Sequence, residues 1–115
     1  IYMEEFFDMG AKGVIEEARR VVGHGPTYVS FDVDGLDPVY APGTGTPEPG
    51  GFTGYEALFL VRGLTEIDFI GFDMVEVMPS YDPAQITSLL AANIMFEFIS
   101  LIALSKKTGT SSSNI

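Results

Sequence analysis

Apolar residues recur at helical spacing over the first stretch of the chain: Phe6, Phe7, Val14, Ile15, Ala18 and Val22 stand among Glu, Lys and Arg between about Tyr2 and Val22. That period predicts an amphipathic helix, and Gly10 and Gly13 predict that it is interrupted or split in two. His24, flanked by Gly23 and Gly25 and followed by Pro26, falls in the turn leading out. The pattern then changes. Thr27 to Val33 (TYVSFDV) is short, β-branched and aromatic and bounded by turn residues, which predicts a buried strand. Gly35 to Gly51 is rich in Gly and Pro and predicts a long structured loop, the kind that serves a site more often than it merely joins elements.

A helix is predicted from about Gly54 to Arg62, with Thr53 as its cap, Glu56 completing a capping box and Gly63 placed to end it. Ile67 to Val77 (IDFIGFDMVEV) predicts a second buried strand, and Met78 to Tyr81 a turn. Asp82, Pro83 and Gln85 supply an N-cap, a first-turn proline and a capping-box partner for a last helix running to about Leu104. The apolar run within it, Leu89 to Leu104, contains Asn93 and Glu97 and falls short of the roughly 20 residues that span a bilayer. It reads as a buried helix, with Met95, Phe96 and Phe98 in the core or at a subunit contact. Lys106 to Ile115 is polar and Ser-rich and is expected to be a disordered tail, leaving residues 1–105 as the folded part.

Strand, helix, strand is a βαβ unit, for which parallel strands and a right-handed crossover are expected. The consequence for chemistry is geometric. Parallel strands end at the same sheet edge, so Asp32 and Asp34 on one and Glu76 on the other converge where α/β folds bind ligands.

Composition narrows the setting. The chain has 115 residues, enough for one small domain. It begins at Ile1 and enters helical sequence at once, so its amino-terminal side is expected to have been lost. A formal charge of −10 argues against a nucleic-acid partner, because phosphate-backbone binding depends on clustered Lys and Arg. Solvated surface carboxylates are the commoner reason for such a balance. The absence of Cys excludes disulfides and thiolate metal sites and fits a reducing, cytoplasmic setting. No signal peptide is visible and no membrane partner is expected.

Two Asp at i and i+2 lie on the same face of a strand, and an exit that kinks or merges into loop at the strand end lets both reach one site. Gly35 permits such an exit. Carboxylate oxygens are hard ligands suited to Mg²⁺, Ca²⁺ or Mn²⁺. An isolated D-x-D is more often an acidic turn in which Asp34 or Asp37 caps backbone amides. An EF-hand loop counted from Asp32 needs Gly sixth and Glu twelfth, where Asp37 and Gly43 stand, so calcium sensing is rejected. A strand followed by F-D-x-D-G is also similar to the haloacid-dehalogenase phosphotransferases, in which the first Asp is the nucleophile. Leu36 occupies the place of their usual Thr, and no Lys lies at an obvious later strand end.

A longer match covers the loop and both flanks. Ser30-Phe31-Asp32-Val33-Asp34-Gly35-Leu36-Asp37-Pro38, then Ala41-Pro42-Gly43-Thr44-Gly45-Thr46-Pro47 and Gly50-Gly51, closely resembles the ureohydrolase family of arginases and agmatinases. So do Val75-Glu76-Val77-Met78-Pro79-Ser80-Tyr81-Asp82 and Ala91-Ala92-Asn93 in the helix that follows. The resemblance runs to about Leu104 and is agmatinase-like in Y-A-P-G-T-G-T-P-E-P-G-G and in the P-x-Y-D turn. It implies a three-layer α-β-α fold with a parallel sheet, of which this chain is a carboxyl-terminal part, and a site holding two Mn²⁺ or other divalent ions. The resemblance makes Asp32 and Asp34 metal ligands, Glu76 the holder of the guanidino group by a bidentate contact, and Thr46 a neighbour of that group. It implies a small guanidino substrate such as agmatine, guanidinobutyrate, guanidinopropionate or guanidine, hydrolysed to urea and an amine. A trimer or hexamer is implied for the complete protein.

The departures set limits. The family's other metal ligands come from a G-G-D-H stretch and a D-A-H-x-D stretch, and neither occurs here. His24 matches no ligand motif and reads as a turn histidine. Two Asp do not make a dinuclear site, so the isolated chain is expected to be inactive. A phosphotransferase and a non-catalytic α/β fragment stand as the alternatives. Asp37 is expected to organise the loop, Asp82 to cap the last helix, and Tyr81 to pack or to approach a substrate entrance.

Overall fold

The computed structural model of the protein describes residues 1–108, with side chains to residue 106. Most of the expected polar tail therefore lies outside the described residues. The first helix, α1, spans Met3–Val22 and is one helix interrupted at Gly10, whose backbone leaves helical geometry at φ 72° and ψ 165°. Without a Cβ, glycine adopts such a positive φ at little steric cost, and this divides the amphipathic stretch where the sequence suggested.

Strand β1 covers Thr27–Asp32, one residue shorter than predicted, because Val33–Gly35 wind into a single 3-10 turn. Helix α2, Gly54–Gly63, has the expected start: the Thr53 hydroxyl accepts from Glu56 N at 3.0 Å while the Glu56 carboxylate accepts from Thr53 N at 2.9 Å. Strand β2 covers Phe69–Val75 and pairs in parallel with β1, placing Asp32 beside Val75. The loop between β1 and α2 is ordered by a short parallel bridge, Leu36 to Phe52, in which Asp37 N donates to Phe52 O and Phe52 N to Gly35 O.

The last helix, α3, spans Ile86–Thr108, and here the sequence reading needs correction. Pro83–Gln85 form a separate 3-10 turn in which Ala84 and Gln85 take positive φ of 53° and 60°. Gln85 therefore makes no capping box. Asp82 does cap the helix, but from further away: its carboxylate accepts from Thr87 N at 2.8 Å and from Ser88 N at 2.9 Å.

The second correction concerns burial. Thr87, Ala91, Ile94 and Phe98 form one buried stripe at the spacing of a helix face, whereas Leu89, Phe96 and Ile99 are more than half exposed. The helix is buried along one face only, and over Pro83–Lys106 it is long and apolar enough to cross a membrane by length and composition. Its inner stripe instead meets a core. Phe98 packs against the rings of Phe31, Phe69 and Phe72 at centroid separations of 6.5, 6.0 and 5.5 Å. Val33, Leu36, Ala57 and Val61 complete that core with the inward side chains Val29, Phe31, Phe72 and Met74 of the sheet. Helix α1 lies against α2, where Arg19 Nη2 donates to Gly63 O at 2.5 Å and to Thr65 Oγ1 at 2.9 Å.

Candidate functional site

Because side chains alternate along a strand, the burial of Val29 and Phe31 sends Tyr28, Ser30 and Asp32 to the opposite, exposed face of the sheet. Asp32 is the last residue of β1, and its Oδ1 accepts a hydrogen bond from Asp34 N at 2.8 Å. That bond helps close the 3-10 turn of Val33–Gly35 after β1, where the strict alternation of the strand ends. The exit of the strand into a turn, expected at Gly35, is present.

Asp34 is held by two hydroxyls from the following loop: Thr44 Oγ1 donates to Oδ1 and Thr46 Oγ1 to Oδ2. Thr46 is exposed, but Thr44 is buried with 2% of its surface accessible. The loop reaches Asp34 because it is tied elsewhere. Asp37 accepts from Val39 N and Gly50 N, each at 3.0 Å, and these amide donors hold its carboxyl below the usual range. It organises the loop as expected. Further along, Gly43 O accepts from Met78 N just after β2, and Gly43 N donates to the buried Thr87 Oγ1 at 2.7 Å.

Glu76 follows Val75, the register partner of Asp32, so it emerges at the same sheet edge as the Asp pair. It is exposed and has φ of 70°. A non-glycine residue in the left-handed region carries a steric cost of about 1–2 kcal/mol, and such outliers gather at functional sites. Asp32, Asp34, Thr46 and Glu76 thus share one edge, with Asp34 and Thr46 in contact. Two cavities, one lined by Leu64, Ile67, Leu101 and Leu104 and the other by Met9, Tyr55 and Phe59, include none of these four. Asp32 and Glu76 are exposed and Asp34 is half-buried.

Burial opposes charge on Asp82, yet amide donation from Ser88 and Thr87 and their hydroxyl contacts outweigh it and bring its pKa down to about 2. Asp73, on β2, accepts from Tyr28 Oη at 2.9 Å and Ser30 Oγ at 2.6 Å across the sheet. Tyr81 is 62% exposed and does not pack, and His24 sits exposed in its turn. Thr44 and Thr87 were not singled out by the sequence. Both are buried in the structure, and the turn and cap residues beside them were the one signal the sequence offered.

The donor chemistry of the edge suits a hard divalent cation, since Asp32 and Asp34 present oxygens only. As a set it is incomplete. Among the described residues no group of three or more His, Cys, Asp or Glu could hold a metal ion.

Parallel strands whose ends carry carboxylates, with a long ordered loop between β1 and α2, place this chain in the open α/β class, in which such sheet edges bind ligands. Within that class the chain belongs to the arginase family, whose profile matches residues 1–100. It is 57% identical over 103 residues to the guanidinopropionase of Pseudomonas aeruginosa, covering 90% of this chain and 32% of that protein. It is 48% identical over 99 residues to the agmatinase of Edwardsiella ictaluri, covering 86% of this chain and 33% of that protein. Among solved structures, proclavaminate amidino hydrolase from Streptomyces clavuligerus superposes with a TM-score of 0.87 at 44% identity, over 90% of this chain and 35% of that one. The arginase-like fold is therefore established, and the chain spans about a third of the length of these relatives.

Proposed function

We propose that this chain is the carboxyl-terminal third of a metal-dependent ureohydrolase that cleaves a small guanidino compound to urea and an amine. The observation that carries the reading is the shared edge: Asp32 and Asp34 at the exit of β1, with Glu76 at the exit of the strand beside it. Family membership and the names of the relatives, a guanidinopropionase and an agmatinase, support a guanidino substrate.

Asp32 and Asp34 would supply ligands to a manganese pair, the remaining ligands coming from the part of the longer polypeptide that precedes this chain. When bound, such a pair supplies a nucleophilic hydroxide at neutral pH by lowering the pKa of water. The residues of this chain then do three things. The Glu76 carboxylate accepts two parallel N–H bonds from the planar guanidinium, which fixes the carbon in one orientation. Thr46, whose hydroxyl donates to Asp34, keeps the Asp34 carboxylate turned toward the edge. The strand ends hold these groups on a rigid frame, so little ordering is left to the moment of reaction. Hydrolysis of the guanidinium forms a carbon–oxygen bond from water and breaks one carbon–nitrogen bond, both water protons ending on the departing nitrogen, which leaves as an ammonium while the two remaining NH2 groups stay on urea. The 115-residue chain by itself is inactive on this reading, and the complete protein is an oligomer.

Urea release by the full-length protein with added Mn²⁺ tests the assignment. Asp32→Ala is expected to lower kcat by a factor of 100 or more, on the order of removing a major electrostatic contribution to the reaction. Glu76→Gln is expected to weaken substrate binding and turnover together. Parental activity in Asp32→Ala would contradict the site.

A further inference from the structure

The Asp34 carboxylate is oriented by groups whose own positions trace back, through an unbroken chain of contacts, to a residue the reaction never touches. Both Asp34 oxygens are engaged: Oδ1 by the hydroxyl of Thr44 and Oδ2 by that of Thr46. The two threonines differ in setting. Thr46 is exposed, whereas Thr44 is 2% exposed, and its amide donates to Pro42 O at 3.0 Å, so its backbone is turned tightly inward.

The residue before Thr44 is clasped from two sides. Gly43 O receives the Met78 amide at 2.8 Å, and Gly43 N donates to Thr87 Oγ1 at 2.7 Å. Thr87 is fully buried, and its amide donates in turn to Asp82 Oδ1 at 2.8 Å. Asp82 Oδ2 is occupied by Ser88 N at 2.9 Å and Ser88 Oγ at 2.8 Å. The approach of the loop to this capped helix start is close. A Cβ on Gly43 would lie 2.5 Å from Asp82 Cβ and 2.9 Å from its Cα, so only glycine brings the loop in this far.

We propose that Thr44 is a positioning residue for the Asp34 carboxylate, and that Asp82, through Thr87 and Gly43, is the anchor that holds Thr44 in place. The inference rests on the reading of Asp34 as a metal ligand. A carboxylate whose two oxygens each receive a hydroxyl has its plane fixed, and fixing the plane of a ligand raises its affinity for an ion. The buried hydroxyl does the larger share, because its own rotation is restricted by packing while the exposed one competes with water.

The test measures Mn²⁺ affinity in the full-length protein by titration with electron paramagnetic resonance detection of the free ion, alongside kcat and KM for urea release. Thr44→Val removes the hydroxyl while keeping the side-chain shape. It is expected to weaken Mn²⁺ binding by about 10- to 100-fold, the range typical for groups that orient metal ligands, and to lower kcat with KM unchanged. Thr44→Ser restores the hydroxyl and is expected to hold affinity near the parent's. Asp82→Ala is expected to shift affinity in the same direction as Thr44→Val, with helix content by circular dichroism retained. An Asp34→Ala protein separates the ligand role of Asp34 from the positioning role of Thr44. If it binds Mn²⁺ as the parent does, the ligand reading itself fails. If it loses Mn²⁺ while Thr44→Val keeps parental affinity, the positioning role of Thr44 is overturned. Parental affinity in Asp82→Ala overturns the anchor.

Discussion

Asp82 holds an unusual amount of structure for one side chain. Its two oxygens take the amides of Thr87 and Ser88 and the Ser88 hydroxyl, and the resulting pKa of about 2 is a statement about folding as well as about charge. An unfolded Asp titrates near ~3.9. Because the folded value is lower, the stability Asp82 contributes is fully present above about pH 4 and is lost as pH falls toward about 2. Asp82→Asn is therefore expected to make the decline of the unfolding midpoint over that acid window shallower than in the parent. Denaturant unfolding at a series of acid pH values reads this directly, and an unaltered slope would contradict it. Some slope remains in the variant, since Asp37 is depressed by its own amide donors. At the same scale the sequence was informative about the acidic residues and silent about their partners. Asp32, Asp34 and Glu76 stood out as charged residues at the ends of apolar strands. Thr44 and Thr87 did not, because a hydroxyl acquires a partner only through the path of the loop, and Gly and Pro leave no periodicity from which that path can be traced.

The elements divide along the same line. Where a period or a cap is local, the structure agrees with it: the interruption at Gly10 and the Thr53–Glu56 capping box follow from short-range chemistry, and the parallel pairing of β1 with β2 follows from the strand–helix–strand order. The start of α3 does not, because Ala84 and Gln85 adopt positive φ and insert an extra turn between Asp82 and the helix. Spacing alone placed Gln85 in a capping box that this turn abolishes. The end of β1 moved for a related reason, since the Asp32 side chain captures the Asp34 amide and winds Val33 out of the strand. The long loop has its own constraint at Gly51, where an added Cβ would meet Gly35 O at 2.5 Å and Asp37 N at 2.8 Å, inside the Leu36–Phe52 bridge. Backbone on both sides cannot give way cheaply. Gly51→Ala is expected to cost about 1–3 kcal/mol, as overpacking does, read as a fall in thermal midpoint. Gly25→Ala, with nothing within 4 Å of the added carbon, is the control expected to change little.

At the scale of the molecule, the sheet is covered unequally. Helices α2 and α3 close a core over Val29, Phe31, Phe72 and Met74, while Tyr28, Ser30 and Asp32 face outward. Parallel sheets are ordinarily covered on both faces, and this chain spans about a third of the length of its arginase-family relatives. The same two facts account for an edge that carries two carboxylate donors and, among the described residues, no further cluster of ligands. On the proposed function, the full-length protein carries out the chemistry and this chain forms one wall of the site. The most direct measurement is urea release from agmatine, guanidinobutyrate, guanidinopropionate and guanidine, with and without Mn²⁺, by the full-length protein and by the 115-residue chain side by side. The expected result is Mn²⁺-dependent urea from at least one compound with the full-length protein and none with the chain alone. Release of phosphate from phosphomonoesters by the full-length protein, with no urea from any guanidino compound, would contradict the account.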